Sequence, residues 1–334
     1  MRQRIKTILE NTPTPMAGLA LGISGLGWSA ENALSTHHTL QITSAGIALI
    51  LILVVASKFM LWPQKLLTDL SHPVIGSVVP TFAMTLMIIS NSIEYFNHIL
   101  AEIVWLIAVI IHLLFLATFI FHRAKVFELH HMVPSWFVPP VGIIVADVAF
   151  PGGVLQPLAI TLLYFGLVCY AILLPVMLYR IIFCHEIPDA SKPTIAIFAA
   201  PASLSLAGYL TVIEDPSPNV VILLVGIAIL MTALIYIAFI KLMTLPFSPG
   251  FSAFTFPMAI GSTALFKTAH WAETVIHLPP EYVAQIYYLA VFELIIATLV
   301  IGFVAQQYLY HLVLKKFNIG AVNKVSGMKK KINA

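Results

Sequence analysis

The chain has 334 residues, 60% of them hydrophobic and 9% charged, with a formal net charge of +3. A water-soluble globule cannot bury that much apolar surface, so the composition excludes a soluble enzyme and points to lipid as the solvent. Basic loops beside anionic headgroups account for the small positive charge, with no nucleic acid as partner.

A spanning helix needs about 20 mostly apolar residues, and ten stretches supply them: 14–31, 40–61, 73–94, 99–121, 136–152, 154–179, 193–213, 219–243, 251–272 and 283–314. The predicted organisation is an amino-terminal segment over 1–13, a ten-helix transmembrane domain over 14–314 and a basic tail over 315–334. The opening MRQRIK imitates a secretory signal. However, ENTPTP intervenes and no small-x-small cleavage pattern follows, so the first apolar run reads as the first spanning helix. Cys169 and Cys184 suggest neither a disulfide framework nor a thiolate metal site.

The odd-numbered segments are rich in small residues and proline: PMAGLALGISGLG in the first, VPTFAMTLMIIS in the third, FVPPVGIIVAD in the fifth and FAAPASLSLAG in the seventh. The even-numbered ones are bulky and evenly apolar, as in AGIALILILVVA and VVILLVGIAILMTALIYIAFI. Pro15, Pro80, Pro139 with Pro140, Pro201 and Pro257 recur in the odd members, whereas Pro175 in the sixth stands outside the pattern. The unit is therefore a helical hairpin repeated five times. Small residues permit close helix approach and bulky ones suit lipid, which predicts an all-α membrane protein with five odd helices inside and five even ones outside. Proline in a helix interior frees backbone polar groups, and these are tolerated where protein or a wet cavity receives them. Five such kinks about one axis suggest a pore.

Orientation follows from the cations. The amino-terminus, the loops after segments 2, 4, 6 and 8, and the tail hold sixteen of the seventeen lysines and arginines, all but Lys267. The positive-inside rule makes that face cytoplasmic, with both termini inside. Inner-segment charge is sparse: Asp147 and Lys267 near outer helix ends, with Glu293 on an even helix. Hydroxyls such as Ser24, Thr81, Ser203, Thr255 and Ser262, together with helix ends at the kinks, favour anions weakly. Such hydroxyls also bond their own backbone. For Lys267, pairing with Asp147 or Glu273, or snorkelling to the interface, competes with anion attraction.

SHPV before the third helix, VPSWFVPPV in the fifth, FAAPASLSLAGYL in the seventh and AFTFPMAIGSTALFK in the ninth resemble the tellurite-resistance and dicarboxylate transporter family. That family includes bacterial TehA proteins, fungal malate and sulfite transporters and plant guard-cell slow anion channels. The resemblance covers nearly the full chain. It implies a central pore in each protomer of a homotrimer, blocked at mid-membrane by a phenylalanine of the ninth helix. The TFPM pattern carries that gate to Phe256, with Phe254 as the neighbouring candidate. Gly18, Gly22, Ala83, Ser203, Thr255 and Lys267 are the accompanying lining candidates. The chain departs from the bacterial pattern at Ala83, where those members carry a proline about one turn deeper than Pro80.

The expected function is passive conduction of small inorganic or carboxylate anions across a bacterial inner membrane, without cofactor or metal. A proton-coupled dicarboxylate, sulfite or tellurite carrier is the alternative; it would want an interior acid such as Glu293, although the even helix that carries Glu293 favours a protomer contact or a protonated, hydrogen-bonded state. An intramembrane enzyme is the remote third reading. The twelve histidines are scattered, and neither an H-E-x-x-H pattern nor a phosphate-binding G-x-x-x-x-G-K-[ST] loop occurs.

Overall fold

The computed structural model describes residues 2–314, so the predicted basic tail lies outside the described residues. Those residues are helical, with no strand among them. An amino-terminal helix, Arg2–Glu10, precedes α1 (Met16–Leu34) and α2 (Thr39–Leu61). A short helix, Pro63–Ser71, leads into α3 (Ile75–Ile93), which is interrupted at Val79 and Pro80. Then follow α4 (His98–Lys125), α5 (Pro134–Val148), α6 (Gln156–Phe183), α7 (Lys192–Val212) and α8 (Pro218–Leu242). The 3-10 turns of Pro249–Phe254 run into α9 (Thr255–Thr274), and α10 (Pro280–Tyr308) follows.

Seven of these, α2, α3, α4, α6, α7, α8 and α10, are long and apolar enough to cross a bilayer by length and composition, and α5 is a shorter apolar helix. Met16–Leu34, with Glu31 and Asn32, and Thr255–Thr274, with Lys267, His270 and Glu273, fall outside that set. Ser29 and Ser262 hydroxyls meet at 2.6 Å between α1 and α9.

The even helices bury one stripe each. In α8 it is Val221, Leu224, Ala228, Met231, Ile235, Phe239 and Leu242, at helical three- and four-residue spacing, while Ile222, Leu230, Ile237 and Ile240 on the other faces are exposed. An exposed face of such side chains has lipid as its natural solvent. The odd segments are enclosed nearly all round, as in α7 and α9. Packing explains the difference. Segment α1 contacts α3, α3 contacts α5, α5 contacts α7, α7 contacts α9, and α9 contacts α1, closing a cycle. Each even helix lies against the odd segment before it and the odd segment after it in that cycle, α10 bridging α9 and α1.

The prolines occupy a more economical position than an interior kink. Pro15 and Pro80 immediately precede α-helical turns, Pro201 is the second residue of Ala200–Val212, and Pro257 the third of Thr255–Thr274. Segments α7 and α9 begin as 3-10 helix and change to α-helix just before the proline. In a first α-helical turn the missing N–H costs little. The ninth segment thus changes from 3-10 to α-helical winding at Phe254–Thr255, two residues before Pro257. In α5, Pro139 and Pro140 lie in a single α-turn, Val138–Val141, followed by the 3-10 turn Gly142–Ile144.

Candidate functional site

A cavity of about 390 Å³ is lined by the loops that carry Pro13, Ala190 and Ser248, by Asp69 of the short helix Pro63–Ser71, and by Leu204 and Phe256. Beyond it lies a void of about 10 Å³, bordered by Gly25, Trp28, Ile88, Val145, Val148, Leu204, Phe256, Ile260 and Thr263. Each odd segment gives one face to this sequence of spaces: Gly18, Leu21, Gly25 and Trp28 from α1, Thr81, Met84 and Ile88 from α3, Val138, Val141, Val145 and Val148 from α5, Ile197, Pro201 and Leu204 from α7, and Ala253, Phe256, Ile260 and Thr263 from the ninth segment. Three- and four-residue steps in all five keep one helical face on the common axis. Leu204 and Phe256 border both the 390 Å³ space and the 10 Å³ space.

Glycines in α1 set that ring in place. Gly25 faces the Phe256 ring and the Ala259 methyl, with room for ordinary contact only. Three residues earlier, a methyl group on Gly22 would overlap the Thr255 side chain, so the two segments cross closest there. The Thr255 hydroxyl bonds the Gly18 carbonyl at 3.0 Å and the Ser252 carbonyl at 2.7 Å. The residue before Phe256 is therefore pinned to α1 by backbone proximity and a buried hydrogen bond.

Outer helices satisfy the irregular backbone of α5. Buried His112 of α4 meets the Pro139 carbonyl at 2.8 Å; a carbonyl only accepts, so Nε2 carries the proton. Trp105 donates its indole N–H to the Ala146 carbonyl at 2.8 Å. Non-helical winding in the interior is thus paired within protein, as the bilayer requires.

Two charged side chains line the large cavity, Lys58 and Asp69, and they are paired. Lys58 Nζ lies 3.1 Å from Asp69 Oδ2 and 2.8 Å from Thr14 Oγ1, and the Thr14 hydroxyl donates to the same carboxylate oxygen. The remaining wall is apolar or hydroxylated, with Thr81, Thr194, Ser248 and Ser252 among its residues. Among the described residues, no unpaired charge lines the cavity.

The sequence-predicted residues fall in several places. Phe256, Pro201, Pro257 and Gly18 line the large cavity. Phe254 is fully buried and turned away from it, packed against Phe239 of α8 at 5.4 Å and Phe251 at 4.9 Å. Gly22 and Thr255 meet each other instead of the cavity, and Ala83 is fully buried outside its wall. Ser203 spends its hydroxyl on the Ala199 carbonyl at 3.1 Å. Pro80, Pro139 and Pro140 stand behind the lining rather than in it. Lys267 borders a separate space of about 550 Å³ at the opposite end, with Asn32, Glu214, His270 and Glu273. Leu204, Met84, Trp28 and Ile260 were not among the predicted lining residues, although the spacing of Leu204 from Pro201 could have found it. Glu293 is 4% exposed and lies against Gly261 of α9 and near Thr232 and Tyr236 of α8.

Two uncharacterized transporters of Methanocaldococcus jannaschii are each 26% identical to the chain, one over 231 residues (61% of this chain, 67% of the relative) and the other over 229 (60% and 65%). The match thus spans about two thirds of each relative. A family model described as voltage-dependent anion channel matches residues 16–305, from the start of α1 to near the end of α10. The chain is an integral membrane protein that belongs to the voltage-dependent anion channel family, a family of transport proteins for small anions.

Proposed function

We propose that the protein is a passive channel for small anions whose conduction path follows the axis enclosed by α1, α3, α5, α7 and the ninth segment, closed by the Phe256 ring. The observation that carries this reading is the position of Phe256 between a 390 Å³ cavity and a 10 Å³ void on one axis. An aromatic ring in so narrow an apolar space excludes water as well as blocking ions. With the Lys58 charge offset by Asp69, the wall holds no strong anion site, which suits passage better than retention. Chloride, nitrate, sulfite, tellurite and small dicarboxylates all fit a lining of this kind. Residues 14–314 form the conducting domain, and the basic loops and tail face the cytoplasm of a bacterial inner membrane. Three protomers assemble, each with its own path.

A proton-coupled carrier is the second reading, favoured by one observation: Glu293 is a carboxyl enclosed among α8, α9 and α10. Purified protein in a planar bilayer separates the two. In asymmetric chloride at equal pH, a channel reverses near the chloride equilibrium potential, and a superimposed pH gradient leaves that potential unchanged. A reversal potential that follows the pH gradient overturns the channel reading.

A further inference from the structure

The loop between α4 and α5 brings together three side chains that the conduction path does not use. Glu128, His130 and His131 each offer one donor atom, and all three atoms lie within 4.8 Å of one another. Glu128 Oε2 is 3.1 Å from His130 Nε2 and 3.6 Å from His131 Nε2. One carboxylate oxygen thus faces two ring nitrogens, whereas a simple exposed hydrogen bond engages one. The two imidazole rings are tilted against each other, with centroids 4.2 Å apart and planes at 52°.

The backbone beneath these side chains is fixed from inside the protein. Arg180 of α6 is 1% exposed, and its guanidinium donates to the carbonyls of Leu129 (2.9 Å), His130 (3.1 Å) and His185 (2.6 Å). The turn closes on itself through the His131 N–H to the Glu128 carbonyl, 3.0 Å, and the Met132 N–H to the Leu129 carbonyl, 3.1 Å. A buried cation spent on three carbonyls is a costly way to hold a loop, and here it holds the one that carries the cluster. Donors on a backbone held this way lose little freedom when an ion arrives.

We propose that Glu128, His130 and His131 form a binding site for a divalent transition-metal ion, with Zn²⁺ as the best-suited probe. Two imidazole nitrogens and one carboxylate oxygen are a borderline donor set, suited to zinc, nickel or copper and poorly suited to magnesium or calcium. Three protein ligands leave a coordination position open to water or another ligand. The ligands lack the i, i+4 spacing of a helical metal motif: Glu128 immediately precedes the 3-10 turn Leu129–His131, which carries His130 and His131.

The test titrates Zn²⁺ into the full-length protein in detergent, followed by calorimetry, for wild type, Glu128→Gln and His130→Ala/His131→Ala. The expected result is one saturable Zn²⁺ site per chain that excess Mg²⁺ does not displace. Glu128→Gln weakens it by roughly tenfold or more, and the double variant abolishes it. Wild-type protein without saturable binding overturns the proposal, as does undiminished affinity in the double variant. Should the double variant fail to fold, His130→Gln, whose side chain is 60% exposed in the native chain, carries the same comparison.

Discussion

Leu204 of α7 and Phe256 of the ninth segment each border both the 390 Å³ cavity and the 10 Å³ void beyond it. Leucine is the smaller partner and is 2% exposed, so its loss widens the axis without removing the ring. Leu204→Ala should raise anion current by less than Phe256→Ala, and the double variant should exceed both. Single-channel recording in symmetric chloride checks the order. Equal currents in wild type and Leu204→Ala would assign closure to Phe256 alone.

Phe254 is the control for position. Its ring fills a buried site among Phe239 and Phe251, and emptying such a site costs about 3–5 kcal/mol. Phe254→Ala should therefore lower the unfolding temperature in detergent and open the path less than Phe256→Ala does. A large current with undiminished stability would exchange the two assignments.

Gly261 and Glu293 should be energetically coupled. A methyl group on Gly261 would overlap Glu293 Oε2, so Gly261→Ala forces the buried carboxyl to shift. Overpacking of this kind costs about 1–3 kcal/mol. In a Glu293→Ala background the same substitution should cost clearly less, and a double-mutant cycle on chemical unfolding measures the difference. Additive costs would show that the carboxyl yields freely.

His72 gives a pH dependence outside the spanning segments. Its Nδ1 accepts from the N–H groups of Val74 and Ile75, both at 3.1 Å, which requires the neutral ring. Partial burial, reinforced by the Arg123 charge, lowers its pKa from the usual 6.5. A histidine depressed in the folded state stabilises fully above its unfolded pKa, and that contribution is lost as pH falls from there through the lowered value. Histidine-selective NMR should find its midpoint below 6.5, and His72→Gln should flatten the loss of stability in this window. A midpoint above 6.5 would contradict the assignment.

Much of the architecture is legible in the sequence because lipid imposes simple rules. Bulky segments such as 219–243 and small-residue segments such as 193–213 alternate, and the first kind has one buried stripe while the second is enclosed. The lining is less legible. Ser203 and Thr255 looked like pore hydroxyls, but a hydroxyl on a helix reaches a nearby carbonyl as readily as a passing ion. Thr255 and Gly22 are where they are because two backbones cross there. The helix-type change beside Pro257 was also hidden, since proline fits both an interior kink and a first turn. Leu204 carried no signal beyond its one-turn spacing from Pro201.

In the proposed channel one phenyl ring closes the axis. Chloride current through Phe256→Ala, recorded in planar bilayers and normalised to the amount of folded protein, tests it most directly. The expected current is well above that of wild type and reverses near the chloride equilibrium potential. A current no larger than wild type, from protein with an unchanged unfolding profile, would contradict it.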